Sequence, residues 1–235
     1  MRTALISDIH GNAFALDAVL AELEADQVVC LGDAVQGGPQ PAEVLDRLRE
    51  LGCAVVLGNA DAFLLDPEAG PERFLEIREW TLAQLSPDHL EQIRGFEPRV
   101  EADLGDGRTL LAFHGTPDDY DEILWPWSPT AEFTAAISGH AADVYAGGHV
   151  HQQFVRRLAD ALFVNPGSVG QSWDGDRFGE PDLKIDHFAG YALLEERSVE
   201  FRRVPFDPSP LRELYLERGL TRADESLRQW GLDAG

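Results

Sequence analysis

Residues 3–34 read TALISDIHGNAFALDAVLAELEADQVVCLGDA, and this stretch decides the fold. TALIS is a short apolar run of strand type. Residues 13–24 place apolar side chains at helical spacing, and QVVCLG is a second strand-like run. A strand, a helix and a strand within thirty residues make a parallel βαβ unit. The pattern continues outward. Pro41 opens a helix through Leu51, and CAVVLG at 53–58 reads as a third strand.

Further along, residues 72–94 read as helical with a break at Ser86–Pro87. PRVEADLGDGRTLLAFHG at 98–115 is a hairpin turning at Gly105-Asp106-Gly107. A helix at about 129–138 follows, then short strands at DVYAGG, QFVRRL and ALFVNPG. GYALLEERSVEFRRV is a last hairpin, and residues 208–230 form terminal helices. The expectation is one α/β domain over 1–235, with two packed sheets flanked by helices and 208–235 as a helical extension. Residues 165–188, rich in Gly and Asp without periodicity, read as a long loop capping a site.

Composition narrows the function. The net charge is −23, with Asp+Glu 42 against Lys+Arg 19. Such a surface repels a nucleic-acid backbone, which argues against a long nucleic-acid partner while leaving a small phosphorylated ligand open. No run of 18 apolar residues is present, so no membrane partner is expected. The chain enters a strand at once with no leader pattern, and Cys30 and Cys53 sit in apolar runs as buried thiols. Together these features predict a cytoplasmic protein.

Ionisable and polar residues recur directly after strand-like runs. Asp8, His10 and Asn12 follow the first, Asp33 the second, and Asn59 and Asp61 the third. His114 follows a later strand, and His149 and His151 follow DVYAGG. Ligand sites in open α/β sheets lie beyond the carboxyl ends of strands. Singly, a post-strand Asp is often a helix cap and a lone His a satisfied core residue. Jointly they form a mixed N/O set suited to Mn²⁺, Fe or Zn²⁺, large enough for two ions about 3.5–4 Å apart.

The blocks Asp8-Ile9-His10, Gly32-Asp33, Gly58-Asn59-Ala60-Asp61, His114-Gly115 and Gly148-His149-Val150-His151 resemble, in that order, the calcineurin-like metallophosphoesterase superfamily. NPGSVGQ from Asn165 and GYALLE from Gly190 are similar to its small bacterial and archaeal phosphoesterase branch. The resemblance covers about residues 1–204. It implies a four-layer α/β/β/α sandwich of two mixed sheets. It also implies two divalent cations, Mn²⁺ foremost with Fe, Zn²⁺ and Ni²⁺ also suited. One would be held by Asp8, His10, Asp33 and His151, the other by Asp33, Asn59, His114 and His149, with Asp33 bridging. A strand's period of two would point His149 and His151 the same way. Asp33, Asn59, Asp61 and His114 are the candidate catalytic residues.

The implied reaction is phosphoester hydrolysis by a metal-bridging hydroxide. One position departs from the pattern. Many members carry His where this chain has Ala60, and alanine cannot protonate a leaving oxygen. Water, His187 and Asp61 are the alternative proton sources. A phosphodiester substrate is therefore favoured, with phosphomonoesters, phosphoproteins and a catalytically weak metal- or nucleotide-binding regulator as alternatives. A serine hydrolase is set aside, since Pro166 stands where G-x-S-x-G needs its first Gly. A barrel metallohydrolase would carry its His-x-His on an early strand. Asn12, Tyr120, Trp125, Trp173 and Arg177 are the candidate substrate contacts. The aromatics in GTPDDYDEILWPWS form either a wall for a base or an anchor closing the loop.

Overall fold

The computed structural model describes residues 1–173 and 183–232. The first strand, β1 (Arg2–Ile6), runs parallel to β2 (Gln27–Cys30), which runs parallel to β3 (Ala54–Val55). The crossover helices are α1 (Ala13–Glu22) and α2 (Pro41–Leu51). Asn12 caps α1 by accepting from Ala15 N, and Pro41 opens α2 where a missing N–H costs nothing. The last hairpin, β9 (Phe188–Glu195) and β10 (Ser198–Pro205), returns to this sheet, so its order is β10-β9-β1-β2-β3 with β9 antiparallel to β1.

The second sheet comes from the middle of the chain. Its strands are β4 (Val100–Asp103), β5 (Thr109–Ala112), β6 (Val144–Ala146), β7 (Gln153–Leu158) and β8 (Ala161–Pro166). They lie in the order β4-β5-β6-β8-β7, with β5, β6 and β8 parallel and both edges antiparallel.

Alternation along the strands builds the layers. Leu5 packs with Leu31, Leu110, Ala112, Val144, Val164 and Leu194 between the two sheets. Its neighbours Ala4 and Ile6 point the other way, against Leu16, Val19, Val44 and Leu48 of the helices. On the far side Leu111, Phe113, Tyr145 and Phe163 meet Phe133 of α6 (Thr130–Ala136). The four-layer α/β/β/α sandwich is thus observed. The terminal helices α7 (Ser209–Glu217) and α8 (Ala223–Gln229) close a fourth apolar cluster, with Leu211, Tyr215, Leu227 and Trp230 packed against Phe14 and Trp80.

The helical reading of 72–94 resolves into α4 (Leu75–Ala83) and α5 (Pro87–Arg94), broken where expected. The third strand is shorter than CAVVLG suggests. Val56 makes only an isolated bridge to Glu97, and a helix absent from the sequence reading, α3 (Asn59–Leu65), begins at once. The physical reason is Asp61, whose carboxylate reaches back three residues to the Gly58 N–H and starts the helix.

Candidate metal centre

Both sheets deliver their parallel strands' carboxyl ends to one place. β1 leads into Asp8 and His10, β2 into Asp33, β5 into His114, and β6 into His149 and His151. Asp8, His10 and His151 each offer a ligand atom within 4.8 Å of the others, and so do Asp33, His114 and His149. The two groups adjoin through Asp33 Oδ2, 3.7 Å from His10 Nε2 and 3.4 Å from His114 Nε2. Asn59, the first residue of α3, places Oδ1 3.0 Å from His114 Nε2. All seven predicted ligand candidates therefore meet.

The backbone is bent to achieve this. Asp8, His10, Asp33, His149 and His151 all have positive φ, between 47° and 72°. Among the described non-glycine residues only Glu196 and Arg222 share that conformation. It costs about 1–3 kcal/mol per residue and persists only where neighbours impose it. Here they do: Asp8 N donates to Gly32 O, His10 N to Asp33 O, and His149 N to Asp8 Oδ2. This corrects the strand-period expectation for His149 and His151. β6 ends at Ala146, the two histidines lie in a left-handed turn, and each joins a different group.

Three imidazoles are locked in one tautomer. A carbonyl can only accept, so His10 Nδ1–H donates to Gln36 O, His114 Nδ1–H to Leu31 O and His151 Nδ1–H to Gln171 O, each at 2.7 Å. Their Nε2 atoms then face inward. Nε2 of His10 and Nε2 of His151 stand 3.1 Å apart, and His151 Nε2 is 3.3 Å from Asp8 Oδ1. That oxygen is buried and has no hydrogen-bond partner. Two lone pairs and an orphaned carboxylate oxygen aimed at one point need a cation there, so the residues fit the metal that the donor set implies.

The charges agree. Burial pushes the Asp33 carboxyl up, but the charge and hydrogen bond of His114 and the charge of His10 bring it well below the usual range. Burial lowers His114 too, yet Asp33 and Asp8 reverse this and raise it to about 10. His149 falls to about 4 through burial and the neighbouring His114 charge. His10 is lowered by burial and by His151.

Other candidates take different places. Asp61 is buried behind Asp33 and accepts from the backbone N–H groups of Ala34, Val35 and Gly58. It ties the Asp33 turn to α3, and its contacts are those of a positioning residue. Asn12 is 2% exposed, with Oδ1 capping α1 and Nδ2 donating to Gly170 O, so it presents nothing to a substrate. Trp173 is likewise buried, its ring centroid 4.2 Å from that of His151. His187 bonds Trp230 O in the C-terminal cluster. Tyr120 approaches the centre by its main chain: its carbonyl, with those of Asp119 and Glu122, crowds Gly115, the residue after His114. Trp125 stacks on Trp127 at 5.2 Å with planes 3° apart, and Trp127 is 53% exposed. Arg177 lies outside the described residues.

Sequence reasoning missed the braces. Ser168 Oγ donates to Asp8 O, Gly170 N also donates to Asp8 O, and Asn165 Nδ2 donates to Gly148 O. The described start of the expected capping loop, residues 165–173, is thus buried scaffold behind the ligand turns. The signal was a polar pair, Asn165 and Ser168, alternating with glycines in NPGSVG.

Comparison with known proteins agrees with this geometry. A family model described as the calcineurin-like phosphoesterase superfamily domain matches residues 1–183. An uncharacterized protein of Methanocaldococcus jannaschii is 29% identical over 216 residues, covering 78% of this chain and 84% of that one. A symmetrical bis(5'-nucleosyl)-tetraphosphatase of Pectobacterium carotovorum is 34% identical over 143 residues, covering 57% of this chain and about half (48%) of that enzyme. The crystal structure of a metallophosphoesterase from Sphaerobacter thermophilus superposes with a TM-score of 0.78 at 26% identity, covering 99% of each chain. The chain belongs to the calcineurin-like phosphoesterase superfamily, and it is a hydrolase acting on phosphoesters.

Proposed function

We propose that the protein hydrolyses a small phosphodiester or nucleotide phosphoanhydride with two divalent cations, Mn²⁺ foremost. Asp8, His10, Asp33 and His151 would hold one, and Asp33, Asn59, His114 and His149 the other. The observation that carries this reading is the convergence of inward Nε2 lone pairs on the unpartnered Asp8 Oδ1, with Asp33 Oδ2 shared between the groups. When bound, such cations acidify water and neutralise phosphoryl charge. The chain's own part is orientation. Backbone carbonyls hold three imidazoles with their Nε2 atoms inward, and Asp61 holds the Asp33 turn against α3.

Leaving-group chemistry sets the substrate class. Ala60 N donates to Asp33 Oδ1 at 2.8 Å, so the backbone at this position is used, but the side chain carries no acid. Asp61 lies behind Asp33 with its carboxylate turned to three backbone amides, and His187 is bonded to Trp230 O in the C-terminal cluster, so neither is assigned as the acid. A leaving group that departs as a stabilised anion needs none. A nucleoside polyphosphate is one, which accords with the name of the Pectobacterium relative. The acidic surface supports a small substrate over a polynucleotide.

The test is turnover by purified protein, stripped and reloaded with Mn²⁺. Substrates are bis(4-nitrophenyl) phosphate, a symmetrical dinucleoside tetraphosphate and an alkyl phosphate monoester. The first two should be cleaved well and the last poorly, and Asp33→Asn should lose both metals and all activity. Two bound metals without turnover of any ester would favour a binding role. Full activity in chelator would overturn the reading.

A further inference from the structure

We propose that Trp173 is a positioning residue for the cation site of Asp8, His10 and His151, acting through its stack on the His151 imidazole. The inference rests on the ligand assignment above and goes beyond it. His151 is the most remote ligand of its group in sequence, more than 140 positions from Asp8, and its φ of 60° is not one it would choose. Something must hold it. Its main chain follows β6 by only a few residues, so the hold comes from outside. Gln171 O takes the Nδ1–H at 2.7 Å, and the Trp173 ring lies 4.2 Å away, tilted by 31°. The His10 ring also adjoins this imidazole, its centroid 4.9 Å from that of His151.

The segment carrying Gln171 and Trp173 is itself fastened to the other ligand turn. Val169 N donates to Ser7 O, Gly170 N and Ser168 Oγ donate to Asp8 O, Gln171 N donates to Ser168 Oγ, and Ser172 Oγ donates to Ser168 O. No Cβ fits at Gly170, where Ile9 carbonyl approaches too closely. Trp173, 5% exposed, is therefore delivered to His151 by a rigid element whose far end grips Asp8. One turn sets the spacing of two ligands that arrive from different sheets.

The stack also favours the occupied site. An imidazole that gives its lone pair to a dication becomes electron-poor, and the face of an indole attracts such a ring more strongly than it attracts a neutral one. A contact stronger in the bound state raises affinity, and by reciprocity the cation tightens the contact. Outer contacts of this kind typically change metal affinity 10–100-fold. Trp should exceed Phe, and Phe should exceed Ala.

The test uses Co²⁺ as probe, with calorimetric titration beside indole emission. Co²⁺ quenches a fluorophore it approaches, and the two sites lie only about 3.5–4 Å apart, so filling them should dim Trp173 emission. In Trp173→Phe that quench should vanish, although two ions still bind and the affected event weakens less than tenfold. In Trp173→Ala the same event should weaken 10–100-fold while the other stays within twofold. Natural protein that binds no Co²⁺ would defeat the ligand assignment itself. Two ions bound alike by natural protein and Trp173→Ala would overturn only the role of Trp173. So would equal weakening of both events with a lowered melting temperature of the metal-free protein, which marks a merely structural part. If Trp173→Ala does not fold, the Phe variant decides: two ions bound as tightly as by the natural protein overturn the proposal.

Discussion

At the scale of single residues, the site is defined by what Ala60 lacks and what His114 carries. A positioned general acid contributes about 10²–10⁴-fold to a rate. Ala60→His, beside the α3 turn that Asp61 fixes, should speed alkyl esters far more than nitrophenyl esters. An unchanged ratio with both metals bound would refute the missing-acid account. His114 leads to a pH prediction. In the metal-free protein its imidazole, raised to about 10 chiefly by Asp33 acting against burial, stays protonated at pH 8, with Nε2–H facing Asn59 Oδ1. To ligate, it must shed that proton. Metal uptake at pH 8 should therefore release about one proton, and affinity should climb with pH up to about 10. Calorimetry in buffers of different ionisation heat reads this directly, and heats independent of buffer would contradict it.

At the scale of elements, the turn at 165–173 does work that no strand or helix does. Ser168→Ala removes one of the two donors to Asp8 O and the acceptor of Gln171 N in a buried place, which costs about 1–3 kcal/mol. Melting should show that loss, and titration should show one metal event weakened at least tenfold. The strands and crossover helices around this turn were legible because alternation and helical spacing are written in apolar residues, as in Ala4–Leu5–Ile6 and Leu16–Val19. The ligand blocks were legible because ionisable residues follow apolar stems. The turn itself was not, since its content is backbone hydrogen bonding to residues some 160 positions away, and Gly-Ser-Val-Gly carries no periodicity. α3 escaped for a related reason. A seven-residue helix started by one carboxylate looks like the tail of the strand before it. Trp173 read as a substrate contact because aromatic type reveals stacking but not the partner.

At the scale of the whole molecule, the candidate ligands come from both sheets: Asp8, His10, Asp33 and Asn59 from one, His114, His149 and His151 from the other. Bound cations would cross-link the layers. Metal at a hundred times its dissociation constant adds about 2.7 kcal/mol, and at roughly 2–4 °C per kcal/mol chelation should lower the melting temperature by about 5–10 °C. No shift in chelator would show that the layers do not depend on the ions. Sheet order has a further effect. β1 lies between β2 and β9, and β9 begins at Phe188, past the end of the stretch the family model matches. A chain ended at residue 183 keeps every candidate ligand yet leaves one side of β1 unpaired, and it should aggregate when followed by light scattering. The same order sets a timetable on the ribosome. At about 5–20 residues per second, β1 waits roughly 10–40 s for its second neighbour to be synthesised. During that interval the half of the site that carries Asp8 and His10 hangs from a strand with an open edge, and over its last part, once His151 has been added, every candidate ligand is present while that edge is still open.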